Sequence, residues 1–143
     1  MAVIKASSSD IDMLARLVRA EAEGEGEIGM LKAGNVMVNR VRVPCLDFED
    51  INTVPRMVHQ SPGGFEATEK GYFYQRARER DKRLARRLVN GERTGIAEFS
   101  LWFFRPDGPC PPEWWGQPTT GRYKLHCFYS PEHADCPEVY GTF

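Results

Sequence analysis

Ser9 to Glu27 reads SDIDMLARLVRAEAEGEGE, and its spacing decides what the rest of the chain packs around. At about 100° per residue, Ile11, Leu14, Ala15, Leu17, Val18 and Ala22 share one helical face, with Asp12, Arg16, Arg19 and Glu23 opposite. Glu21 falls inside the apolar sector, one turn beyond Leu17 and two beyond Leu14. Removed from water, its carboxyl is expected to hold its proton to higher pH than an ordinary glutamate. Gly24 and Gly26 follow at once, and such glycines end helices and leave the backbone open to a ligand. The stretch therefore sets a proton donor at a helix end, beside an expected cleft. The competing reading is a glutamate paired with a buried arginine or frayed toward solvent.

Outward from this helix, 143 residues with no break in composition suit a single domain with a real core. Hydrophobic residues at 41%, charged residues at 27% and a net charge of −1 describe a globular protein and do not point to nucleic acid or a membrane. The Met1–Lys5 start is followed by no apolar run long enough for a signal peptide or a membrane span, so synthesis without a Sec-type signal is expected. Cys45, Cys110, Cys127 and Cys136 lack the paired spacing of a zinc site. Buried thiols are expected, with one disulfide among the last three as the alternative.

Ser9 is expected to cap the first helix, with Asp12 completing a capping box. A second helix is predicted from Ile28 to Arg42, its Met30, Ala33, Gly34, Met37, Val38 and Val41 facing the first. On its flank, Asn39 fits either a solvated amide or a sugar-holding one, while Arg40 reads as structural. A short helical turn around Val54, Met57 and Val58 stops at the Ser-Pro-Gly-Gly break. His59 and Gln60 sit at that break and Phe65 just past it, as structural residues or as the lining of a cleft.

From about Phe73 to Asn90 a long basic helix is predicted, capped by Gly91. Nine basic residues against three acids between Lys70 and Arg93 could attract an anionic polymer or protein. No groove-reading motif supports nucleic acid. The last third changes period. Phe99 to Phe104 is a dense β-favouring run, and Tyr123, Leu125, Cys127 and Tyr129 alternate with Arg122, Lys124, His126 and Phe128, which predicts two strands of a small antiparallel sheet. The loop between them, RPDGPCPPEWWGQPTTG, carries Trp114 and Trp115, rings suited to core packing or to stacking on a sugar. His126 reads as structural or as part of a site.

Together ARLVRAEAEGEGEIGMLKAGNVMVNRV, FEATEKGYFYQRA, FSLWFFRP and KLHCFY resemble the SleB/CwlJ family of bacterial spore cortex hydrolases, in particular its short members that are essentially one catalytic domain. The most specific piece is Ala20-Glu21-Ala22-Glu23-Gly24-Glu25, followed by Asn39-Arg40-Val41. The resemblance implies an α+β, lysozyme-like fold, a mainly helical lobe with a small antiparallel sheet, and an enzyme that cuts cortex peptidoglycan during germination. It implies Glu21 as the catalytic acid. The residues themselves make Asn39, His59, Gln60, Phe65, Phe104, Trp114, Trp115, His126 and Tyr129 the expected substrate-binding set, and no metal is expected. The resemblance also implies residence in the spore coat at the boundary with the cortex, after synthesis in the mother cell, and activation by calcium dipicolinate. Exported relatives commonly carry a signal peptide and a peptidoglycan-binding domain, so targeting here is expected to rest on a coat protein partner.

A glycosidic oxygen leaves poorly unless protonated, and an acid in an apolar setting meets that need. Glycosidases usually add a second carboxylate. The sequence places none: Glu25 depends on the helix surviving Gly24, and Glu66 lies too far along the chain. A single acid that protonates the leaving oxygen and then deprotonates the muramic C6 hydroxyl needs no such partner, which is the logic of a lytic transglycosylase.

Overall fold

The computed structural model describes residues 2–43, 45–60, 64–69, 71–114 and 116–141. Four helices, α1 (Ser8–Ala22), α2 (Gly26–Arg42), α3 (Val54–Val58) and α4 (Glu79–Val89), form one lobe. Four strands, β1 (Trp102–Phe104), β2 (Glu113–Trp114), β3 (Gln117–Tyr123) and β4 (His126–Tyr129), form an antiparallel sheet in the order β1-β4-β3-β2. The class is the expected α+β.

α1 starts two residues earlier than the Ser9 cap predicted, because Ser7 and Asp10 form a reciprocal capping box. Its apolar face behaves as read, with Leu14, Ala15, Leu17 and Val18 fully buried. A 3₁₀ turn, Glu23–Glu25, and Gly26 at φ +78° then redirect the chain straight into α2.

α2 is the central helix and is buried nearly all round, from Gly29 to Val41. One side meets α1 and α4, and the other carries the sheet. A Cβ at Gly34 would lie 2.2 Å from Leu88, so glycine there sets how closely α2 and α4 approach. The second layer also explains Asn35 and Asn39, whose amides serve the backbone of the covering segment rather than solvent. Asn39 Nδ2 donates to the carbonyls of Glu98 and Ser100, each at 3.0 Å.

The long basic helix is shorter than predicted. Gly71, left-handed at φ +80°, opens a 3₁₀ turn at Tyr72–Tyr74 that buries Phe73, and the chain stays non-helical to Arg78. Asp81 fixes the start of α4: fully buried, it accepts from the Arg78 backbone N–H at 2.9 Å and pairs with the same residue's guanidinium at 2.8 Å. Much of the basic character is answered locally. Arg78 also reaches Glu23, and Arg87 pairs with Glu27 and Glu92.

The sheet has four strands where two were predicted. The proline-rich loop doubles back on itself, pairing Trp114 with Gln117 and Glu113 with Pro118. The alternating run is broken by a turn in which Lys124 takes φ +49°, so Arg122 and Cys127 become cross-strand partners.

The expectation of buried thiols is overturned. Cys45 bonds to Cys136 and Cys110 to Cys127, and no described cysteine is free. The first bridge ties the segment after α2 to the C-terminal 3₁₀ turn, and the second ties the proline-rich loop to β4. Both lie where β1, β4 and Phe48 build a second, smaller core apart from that of the helical lobe. Among the described residues no helix is long and apolar enough to cross a membrane.

Candidate active site

A groove of about 960 Å³ runs between the helical lobe and the sheet, at the upper end of the size range of ligand clefts. The C-terminal end of α1 supplies Glu21. Phe48, Asp47 and Asp50 come from the segment after α2, and Phe65 and Glu66 from the turn before Gly71. Across from them stand Trp102, Phe103 and Phe104 of β1, with Arg105, Trp114 and His126 at the same wall.

Glu21 is half-buried and oriented by one contact. The Ala67 backbone N–H donates to its Oε1 at 3.3 Å. Its other oxygen has no hydrogen-bond partner among the described residues and opens onto the groove. Burial lifts the carboxyl above its ordinary value; the Ala67 N–H pulls it back, the Glu66 charge raises it further, and the Arg40 charge lowers it. The local fold behind this is compact. Phe65 packs at 6.1 Å from Phe103, Thr68 folds back to donate through both N–H and hydroxyl to the Phe65 carbonyl, and the turn so formed aims Ala67 at α1.

Arg40 lies between Glu21 and Asp47, fully buried. Its Nε donates to the Leu101 carbonyl at 2.8 Å and its guanidinium stacks over Phe48 and Phe65 at 4.5 and 4.9 Å. Burial draws its pKa down to about 9, which leaves it charged at neutral pH. Arg40 thus braces both walls behind Glu21, in keeping with its structural reading.

The sheet wall is aromatic. Phe104 stacks on Trp114 at 4.1 Å and 17°, and Phe103 meets the His126 ring edge-on at 5.3 Å. Such surfaces suit the apolar faces of sugar rings. His126 is held from the helical lobe, since its Nδ1 contacts the carboxylate of Glu25 at the start of α2. Gln60 reaches the groove with a buried Oε1 that has no donor among the described residues.

Of the residues singled out from sequence, Glu21, Gln60, Phe65, Phe104, Trp114 and His126 line this one groove. Three do not. Asn39 is locked to backbone carbonyls under the sheet, His59 caps α3 on the surface and packs edge-on to Phe73, and Tyr129 is fully buried with its hydroxyl donating to the Pro111 carbonyl at 2.6 Å. Trp115 lies outside the described residues. Glu66, Asp47, Asp50, Phe48 and Arg105 also line the groove; they come from loops whose placement no periodicity reveals.

Residues 24–129 match the family described as Cell Wall Hydrolase, a match that begins just past Glu21. Over all 143 residues the chain is 77% identical to the Cell wall hydrolase CwlJ of Halalkalibacterium halodurans and 55% identical to that of Bacillus subtilis, covering 100% of each. Its fold is similar to the catalytic domain of the germination-specific lytic transglycosylase SleB of Bacillus anthracis, with a TM-score of 0.66 and 28% identity over 87% of this chain and 96% of that one. The lysozyme-like α+β architecture expected from the sequence is the one observed. On the family match and these full-length relatives together, the chain belongs to the cell wall hydrolase family.

Proposed function

We propose that this chain cleaves the glycan strand of spore cortex peptidoglycan during germination, with Glu21 as general acid and then general base. The observation that carries the reading is Glu21 itself: a carboxyl whose pKa burial raises, fixed through one oxygen by Ala67 and open through the other to an aromatic-walled groove. The protonated carboxyl gives its proton to the glycosidic oxygen as the bond from that oxygen to muramic C1 breaks. The Glu21 carboxylate so formed takes the proton of the same sugar's C6 hydroxyl, whose oxygen closes on C1. One anhydro-muramic end and one new hydroxyl result, and Glu21 is again protonated. Such chemistry calls for no cofactor.

A second reading has one observation in its favour. Glu66 lines the groove near enough to Glu21 for its charge to be felt there, so it is a candidate second carboxylate for hydrolysis by water. Digesting cortex sacculi with wild type and Glu21→Gln, followed by mass spectrometry of the fragments, tests both. Anhydro-muramic ends support the first reading, reducing ends the second, and free stem peptides an amidase instead. Placement at the boundary of coat and cortex, a coat protein as anchor and activation by calcium dipicolinate rest on the family resemblance. Extraction of coat fractions and a dipicolinate titration of the purified enzyme test them.

A further inference from the structure

Beyond the end of the groove lies a second cavity of about 370 Å³, and Arg105 lines both. Arg122 on β3 faces into the same space, with Leu125, Asp107 and the Pro106–Pro109 loop around it. Arg122 is positioned by the loop it faces: its Nη1 donates to the Gly108 carbonyl at 2.7 Å and its Nε to the Lys124 carbonyl at 2.9 Å. Those bonds occupy two of the five N–H donors of a guanidinium, so three remain to serve a ligand. Among the described residues neither Arg105 nor Arg122 has an ion-pair partner, Asp107 included. Two guanidiniums share this cavity with a single carboxylate, Asp107, that pairs with neither, an arrangement that a further anion relieves, and the planar fork suits a carboxylate best. Leu125, 44% exposed, adds an apolar contact beside them.

A glycan lying in the groove carries short peptides on its muramic residues, and these must leave the groove sideways. We propose that this cavity binds a stem peptide, with Arg105 and Arg122 on a peptide carboxylate and Leu125 against an alanine methyl. It thereby selects which stretch of glycan is presented to Glu21. This inference rests on the glycan-cleaving reading for its role, though not for its chemistry. The two prolines and the fixed Arg122 mean that little ordering is needed on binding.

The binding test needs no catalysis. The free tripeptide L-alanyl-γ-D-glutamyl-meso-diaminopimelate is titrated into the intact protein by NMR. Saturable shifts at Gly108, Arg122 and Leu125 are expected, and Arg122→Ala should weaken the affinity roughly tenfold, as should Arg105→Ala, which removes no bond of the fold. Absence of saturable binding, or equal affinity in wild type and both variants, overturns the proposal. In a second arm, rates are compared on glycan with its peptides and on glycan stripped by an amidase, which keeps the muramic lactyl carboxylates. The ratio of the two rates should fall about tenfold in Arg122→Ala. Equal losses on both substrates would assign the carboxylate to the sugar and overturn the peptide assignment. If wild type cleaves neither glycan, the glycan-cleaving reading fails, and the titration still decides the cavity.

Discussion

Glu25, at the start of α2, contacts Nδ1 of His126 on β4 with one carboxylate oxygen and accepts from the Leu125 N–H at 3.4 Å with the other. One buried side chain thereby fastens the helical lobe to the β3–β4 turn and fixes the histidine at the groove wall. Glu25→Ala should cost about 2–3 kcal/mol, since it strands the partners of a buried charged group. Glu25→Gln, which keeps an acceptor, should cost less. Urea unfolding of both variants measures the difference.

Glu21 carries a cost of its own. Burial raises its folded-state pKa above the unfolded value of 4.5, so its ionisation is harder in the native protein than in the unfolded chain. Its stabilising share is complete below the unfolded value and is lost as pH rises through the folded one. Glu21→Gln escapes that loss while keeping an acceptor for Ala67. The variant and wild type should melt together near pH 4, and the variant should melt higher at pH 8. Calorimetry at the two pH values checks the sign.

Glu66 can be tested for both of its effects at once. Its charge helps to hold the Glu21 proton, so Glu66→Gln should move the alkaline limb of the pH–rate profile to lower pH. With Glu21 as the single acid and base, the rate at the optimum should stay within about threefold of wild type, whereas loss of a nucleophile or base would reduce it by roughly a hundredfold or more. A pH–rate profile on soluble glycan fragments separates the two.

The disulfides should matter unequally. Cys45–Cys136 spans 91 residues and Cys110–Cys127 spans 17. Replacing the first pair with serine should cost about 4.5 kcal/mol and the second about 3. The shorter bridge anchors the loop that brings Trp114 onto Phe104 at the groove wall, so its loss should raise KM as well. Denaturant unfolding with and without reductant, beside steady-state kinetics, measures both effects.

Periodicity made α1, α2 and the acid on the wrong face legible, because a helix repeats its environment every turn. It could not show that the sheet covers the far side of α2, and so Asn39 looked available when its amide is spent on Glu98 and Ser100. Phe73 looked helical because it is apolar and followed by a basic amphipathic run, but the Asp81 cap starts α4 later. The proline-rich loop hid β2, since strand pairing over two residues leaves no alternation to read. Glu66, Asp47 and Arg105 reach the groove only through tertiary closure. The Cys110–Cys127 bridge is the alternative of one disulfide among the last three cysteines, while Cys45–Cys136 was hidden for a chemical reason: spacing along a chain says little about which sulfurs a fold brings together.

The most direct test is fragment analysis of cortex peptidoglycan after digestion by wild type and by Glu21→Gln at matched concentrations, with folding of the variant confirmed by its melting curve. Release of muropeptides with anhydro ends by wild type, and a loss of at least a thousandfold in the variant, is the predicted result, since one group serves as both acid and base. Equal release by the two proteins would contradict it.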